Sequence, residues 1–208
     1  MKPKYLTLII PLILSGCSFL PQKAKEPPET AAKLPQVSEP ASQNLFLEGL
    51  PEIEADLGEF APENQLSTFI SSLEEQPEYL LNKCPKIYLL SREKMLREFG
   101  DKDEAVLAFS TQNGMYVTPE NSRDTITHEL WHQYDLYYGK MFGTLYGFSE
   151  DEDFLDMYSR NMEFFGAYAR SSPQEFFAEA GKEYINHPSM LMVKCEEVYE
   201  YFDGLPKE

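Results

Sequence analysis

Arg123-Asp124-Thr125-Ile126-Thr127-His128-Glu129-Leu130-Trp131-His132-Gln133-Tyr134-Asp135-Leu136-Tyr137-Tyr138 carries its apolar residues at helical spacing. Ser122 or Asp124 is placed to cap its start. His128 and His132 stand four residues apart, so on a helix both imidazoles leave from one face and reach one point in space. The chain has three histidines, and two of them fall here. Glu129 follows His128 directly, which puts a carboxylate beside the open side of any metal the pair holds. A carboxylate placed there takes a proton from a water. H-E-x-x-H on a helix is the spacing of a zinc peptidase site.

The segments on either side place this helix in a fold. Leu66, Phe69, Ile70 and Leu73 have helical spacing, and Pro77 stops that run. Lys86 to Leu90 reads as a strand. Ser91 caps a short helix through Phe99, ended by Gly100. Ala105 to Phe109 and Met115 to Thr118 read as two strands around an Asn113-Gly114 hairpin turn. After Pro119 the pattern is helical almost to the end. The expected class is α+β: a small twisted sheet followed by a mainly helical half, forming one domain over residues 45–208.

The first residues read as an export signal. Lys2 and Lys4 precede an apolar run from Leu6 to Leu14, which is shorter than the roughly 20 residues that span a bilayer. Leu14-Ser15-Gly16-Cys17 resembles the lipobox of bacterial lipoprotein signals. That resemblance implies removal of residues 1–16 and lipid on Cys17, enough for stable anchoring to a bacterial membrane. The chain would then act on the cell surface or the periplasmic side. Residues 17–44, with Pro21, Pro27, Pro28, Pro35 and Pro40, read as a disordered linker. An exported location permits a disulfide between Cys84 and Cys195.

A formal net charge of -17 argues against nucleic acid as a partner, since phosphates need a basic footprint. It also argues against docking on anionic lipid by charge.

A catalytic zinc takes three protein ligands and keeps one position open. One family of such sites needs a Gly three residues after the second His and a third His three further on; Asp135 and Tyr138 occupy those places. Gly143-Thr144-Leu145-Tyr146-Gly147 lacks the Asp that another requires. His187, just before Pro188, reads as an exposed residue at a helix end. A carboxylate remains. Ser172-Pro173-Gln174-Glu175 opens a helix on which Glu175 and Glu179 share a face. Locally, Glu175 also completes a capping box with Ser172, so these residues alone leave both roles open.

Tyr168, six residues, then Glu175-Phe176-Phe177-Ala178-Glu179-Ala180 closely resembles the second motif of the zinc metallopeptidase family that includes the anthrax lethal factor catalytic domain and the Pro-Pro endopeptidases. The resemblance is specific in its two motifs and extends in layout over roughly residues 87–202. It implies a zincin-like fold, one catalytic Zn2+ held by His128, His132 and Glu175, Glu129 as general base, and Tyr168 as donor to the oxyanion. Asp135 also matches an acidic position of the family. Trp131 stands where lethal factor has Gly.

Glu179 and Asp135 are the candidates to accept the free ring N–H of a zinc-bound histidine. The expected substrate is a protein or peptide bound in extended form along a sheet edge, either 105–109 or 115–118. The 139–150 loop would border the cleft or close over it. The expected activity is endopeptidase hydrolysis by a monomer, with a catalytically inactive peptide-binding or sensing lipoprotein, or a cell-wall amide hydrolase, as the alternatives.

Overall fold

The computed structural model describes residues 42–58, 63–100 and 107–208. The signal segment, Cys17 and residues 17–41 of the expected linker lie outside them.

The elements are β1 (Gln43–Leu45), β2 (Glu52–Asp56), α1 (Glu63–Glu74), α2 (Glu78–Leu81), β3 (Lys86–Leu90), α3 (Arg92–Phe99), β4 (Ala108–Thr111), β5 (Gly114–Val117), α4 (Arg123–Phe142), α5 (Glu152–Asn161), α6 (Pro173–Asn186), α7 (Pro188–Lys194) and α8 (Glu196–Asp203). This is an α+β chain, with a five-stranded sheet ahead of a helical half. The local signals for β3 and α3 are obeyed residue by residue, with Ser91 Oγ accepting from Lys94 N and Gly100 closing the helix.

β1 and β2 carry no expectation from the sequence. Glu52-Ile53-Glu54-Ala55-Asp56 alternates, but with acids, which are poor strand formers. Ile53 and Ala55 are buried while the acids lie on the other face. Lys86 on β3 neutralises that face, its ammonium 3.1 Å from Glu52 and 2.8 Å from Glu54, and Lys94 pairs with Asp56. β1 takes up Gln43 and Asn44. The folded part therefore begins at least two residues earlier than the expected boundary at Leu45.

The sheet order is β1-β2-β3-β5-β4. β2, β3 and β5 run parallel, and β1 and β4 are antiparallel to their neighbours. β5 is thus an inner strand, which removes 115–118 as a docking edge. β4 is an edge strand, as is β1 at the other side of the sheet. The hairpin joining them turns one residue earlier than expected: Thr111 pairs with Gly114, leaving Gln112 and Asn113 as the turn. Gly114 has φ 144°, and a Cβ there would sit 2.2 Å from the Lys86 carbonyl oxygen, so no other residue fits.

One core joins the two halves. Ile53, Ile87, Leu89, Met115 and Val117 from the sheet meet Phe69 and Leu73 of α1 and Ile126, Leu130 and Trp131 of α4. α4 also packs along α6. Trp131 has no exposed surface and is ringed by Tyr134, Phe177 and Phe202 at centroid distances of 5.1, 5.6 and 5.0 Å. Gly181 of α6 lies under its ring, where a Cβ would come within 2.5 Å of Trp131 Cδ2. That glycine lets α6 approach α4 closely.

The Cys84–Cys195 disulfide is absent. Both thiols are buried and free. Cys84 Sγ donates to the Lys86 carbonyl at the start of β3, and Cys195 Sγ to Asn161 Oδ1 at the end of α5. Each thiol is satisfied in its own surroundings.

Candidate metal centre

α4 and α6 bring the two sequence motifs together. Ser122 caps α4, accepting from Thr125 N, so His128 and His132 occupy successive turns of a rigid, buried helix. Ser172 caps α6 and Pro173 takes its first position, which sets Glu175 and Glu179 one turn apart facing α4. His128 Nε2 and His132 Nε2 are 3.1 Å apart. Glu175 Oε2 lies 3.2 Å from the first and 3.4 Å from the second.

These three atoms form a nearly equilateral triangle. A tetrahedral ion with bonds of about 2.0–2.1 Å needs donor atoms about 3.3–3.4 Å apart. The observed edges fit that requirement. Glu175 Oε2 is also buried without a hydrogen-bond partner, an arrangement that costs free energy unless something else occupies it. The buried His128, His132 and Glu175 group is therefore able to hold a metal ion.

Electrostatics agree with that grouping. Burial disfavours the charged His128 ring, but Glu175, then Glu179 and Glu129, outweigh it and raise its pKa from 6.5 to about 9. Burial likewise opposes charge on Glu175, yet the two histidines hold its carboxyl far below the ordinary carboxylate range. Protons and a cation would compete for these groups.

Glu179 Oε1 is 2.9 Å from His128 Nδ1, and its other oxygen accepts from Lys182. It is placed to orient the ring while Nε2 points into the triangle. Lys182 was not singled out in the sequence; its spacing of three from Glu179 on a helix is the signal that marks the pair.

Asp135 is placed differently from expectation. Its carboxylate accepts from Gly147 N and Ser149 N, both at 3.1 Å, and from Ser149 Oγ. No hydrogen bond or ion pair joins it to a histidine among the described residues. It fastens the 139–150 segment to α4 rather than steering a ligand. Part of that expected loop is helical, since α4 runs to Phe142; Tyr146 reaches the cavity wall. His187 is exposed at the α6–α7 junction.

Glu129 is 6% exposed, and its Oε2 has no partner. Its main-chain carbonyl accepts from Ser110 Oγ at 3.0 Å, tying α4 to the sheet edge. The Tyr168 ring centroid is 5.7 Å from that of His128. The residue as a whole is 60% exposed, so it is no core aromatic. Burial of its hydroxyl end, followed by the Glu175 charge, raises the phenol pKa and keeps it a donor.

Two hollows of about 260 and 200 Å³ meet at these groups, with Ala108, Glu129 and Tyr168 lining both. β4 forms one wall. Thr118 N donates to Leu107 O across the β4–β5 ladder. By ladder alternation, residues 107, 109 and 111 turn toward β5, and the backbone N–H and C=O of Ala108 and Ser110 turn away. An extended backbone laid there would meet donors and acceptors that have no partner among the described residues, beside Glu129.

The chain matches no protein-family model and no curated protein.

Proposed function

We propose that this chain is a zinc-dependent endopeptidase of zincin-like fold, exported and lipid-anchored through Cys17, that cleaves extended polypeptides at the outer face of a bacterial membrane. One observation carries the reading: three donor atoms converge at metal-ligand spacing beside a buried carboxylate oxygen, Glu129 Oε2, that has no partner. The resemblance of both motifs to lethal factor and the Pro-Pro endopeptidases supports it.

In this reading His128, His132 and Glu175 hold zinc, whose role when bound is to supply Lewis acidity to a water and to the scissile carbonyl. Glu129 Oε2 accepts a proton from the attacking water and later delivers it to the leaving amine. The Tyr168 hydroxyl donates to the carbonyl oxygen as that oxygen gains charge; such a donor contributes on the order of 10² to 10³ in rate. Glu179 fixes the His128 ring. Ala108 and Ser110 hold the substrate backbone against β4, so that the attacked carbonyl lies over Glu129.

The test measures bound zinc and cleavage of a diverse peptide library by the full chain beside Glu129→Ala and Glu175→Ala. Wild type is expected to carry one zinc and cut, Glu129→Ala to keep zinc without cutting, and Glu175→Ala to lose zinc. A wild-type protein that binds zinc but cuts no peptide would move a peptide-sensing module or a cell-wall amide hydrolase ahead. Absence of zinc binding at neutral pH would sink the proposal.

A further inference from the structure

The cleft does not stop at the two hollows around Glu129. Thr125, Glu129, His132, Leu136 and Lys140 follow one another at spacings of three or four on α4, so they form a single stripe. The first hollow lies over Thr125 and Glu129, and the second over Glu129, His132 and Leu136. A third, of about 100 Å³, lies over Leu136 and Lys140 and is walled by Lys83, Gln112 and Tyr137. Each shares a residue with the next, so the three follow one another along α4 as the channel an extended chain would occupy.

The two ends of this channel differ in charge. At the α4 N-terminal end stand Asp124 and Glu179. Lys182 offsets Glu179. Asp124 is exposed, accepts from Asn186 at 2.8 Å, and has no cation partner among the described residues. At the other end stand Lys83 and Lys140. Lys83 lies over the Tyr137 ring at 4.6 Å and donates to the main-chain carboxyl oxygen of Glu208 at 2.7 Å, an anionic partner that holds it in place. Lys140 is exposed and forms no ion pair among the described residues. In a chain with 35 acidic and 18 basic residues, Lys140 without an ion pair among the described residues, beside a Lys83 bonded to a main-chain carboxyl group, makes this mouth locally less acidic.

Resting on the endopeptidase reading of this site, we infer that the channel selects polypeptides of asymmetric charge, with a basic side chain on the Asp124 side of the attacked bond and an acidic side chain on the Lys83–Lys140 side. The helix sets the distances. Glu129 to Asp124 spans about 7.5 Å along α4 and Glu129 to Lys140 about 16 Å, at about 1.5 Å per residue. An extended substrate advances about 3.3 Å per residue. The base therefore falls about two to three residues from the bond, and the acid about five residues away on the other side. Exposed charge pairs contribute up to about 1 kcal/mol each, or about fivefold in affinity, and weaken with salt.

The test uses the full chain, zinc-loaded and carrying Glu129→Gln, so that binding is read without turnover. Fluorescent peptides of equal length carry acid and base at those two positions in both orders, with all-acidic and all-basic controls. One asymmetric order is expected to bind up to about 25-fold more tightly than the other, with the gap closing at high salt. Lys140→Glu should reduce the gap about fivefold or more through the acidic position alone, and Asp124→Asn through the basic position alone. Lys83→Gln serves as a second probe of the acidic position. Equal binding of all peptides, or a preference that survives Lys140→Glu and Asp124→Asn, would overturn the inference. Wild-type protein is then given the best binder. Charge-ordered binding without cleavage would sink the endopeptidase reading and leave the channel's selectivity standing, whereas cleavage without charge order would do the reverse.

Discussion

Glu175 and Glu179 are the same residue type, one turn apart on the same face of α6, and each touches His128. Their surroundings give them different work. Glu179 has one oxygen bonded to Lys182 and the other 2.9 Å from His128 Nδ1. Glu175 keeps Oε2 buried, without a hydrogen-bond partner, between two Nε2 atoms. A carboxylate held by a lysine beside the ring can orient a ligand. One buried between two imidazole nitrogens without a hydrogen bond is free to bind a cation. Helix position alone does not separate the two.

The sharpest way to break that distinction is to neutralise each in turn. Glu175→Gln should weaken metal affinity beyond a hundredfold, because a ligand is lost. Glu179→Gln should cost about 10- to 100-fold, the range for groups that hold a ligand in orientation. Competition against a chelator of known affinity reads both. Equal losses would mean that the two glutamates share the metal.

The two helices must also stay at their present spacing, and Gly181 sets it. Gly→Ala in a helix interior ordinarily stabilises by about 1 kcal/mol. Here the new methyl would meet the Trp131 ring at 2.5 Å, and overpacking of that kind costs about 1–3 kcal/mol. Gly181→Ala should therefore lower the unfolding free energy in urea, and weaken metal binding by pushing Glu175 away from the histidines. A neutral or stabilising result would show that α6 slides freely over α4.

This contact also marks the limit of what the sequence made legible. H-E-x-x-H, β3 and α3 rest on signals a few residues long, and those were readable. The apposition of Glu175 and His128 depends on Trp131 fitting over Gly181, 50 positions apart in the numbering, and no local pattern states it. β2 was hidden because its partner charges sit on other elements: Lys86 and Lys94 make an acidic strand tolerable. Asp135 was misread for a similar reason, since Gly147 and Ser149 reach it only after the chain has turned back on α4.

Acidity probes the same pair of glutamates with a smaller effect. The neighbouring carboxylates raise His128 to about 9 against its ordinary 6.5. In the metal-free protein this charged ring contributes stability that is fully present below about 6.5 and lost as pH rises through about 9. Metal needs the neutral ring, so its affinity should run the opposite way, rising about tenfold per pH unit toward 9 and levelling above it. Thermal melts of metal-free protein between pH 6 and 9.5 should fall with pH, and Glu175→Gln should flatten the decline. A metal-free melt that rises across this window would show that the carboxylates do not hold the proton on His128.

The smallest effect separates the two roles that the sequence offered for Glu175. A complete capping box would have its carboxylate bonded back to the helix start. Half of that box is present: Ser172 Oγ accepts from Glu175 N at 3.1 Å. The carboxylate instead faces the histidines, so the residue uses its main chain for the cap and its side chain for the site. Ser172→Ala should then cost about 1 kcal/mol of stability, the usual worth of a cap. Metal affinity should change by no more than about threefold, because Pro173 and the packing of Phe176 and Phe177 against the core still hold the first turn. Loss of metal binding in step with Glu175→Gln would mean that the cap itself aims the ligand, and that main chain and side chain of Glu175 act as one unit.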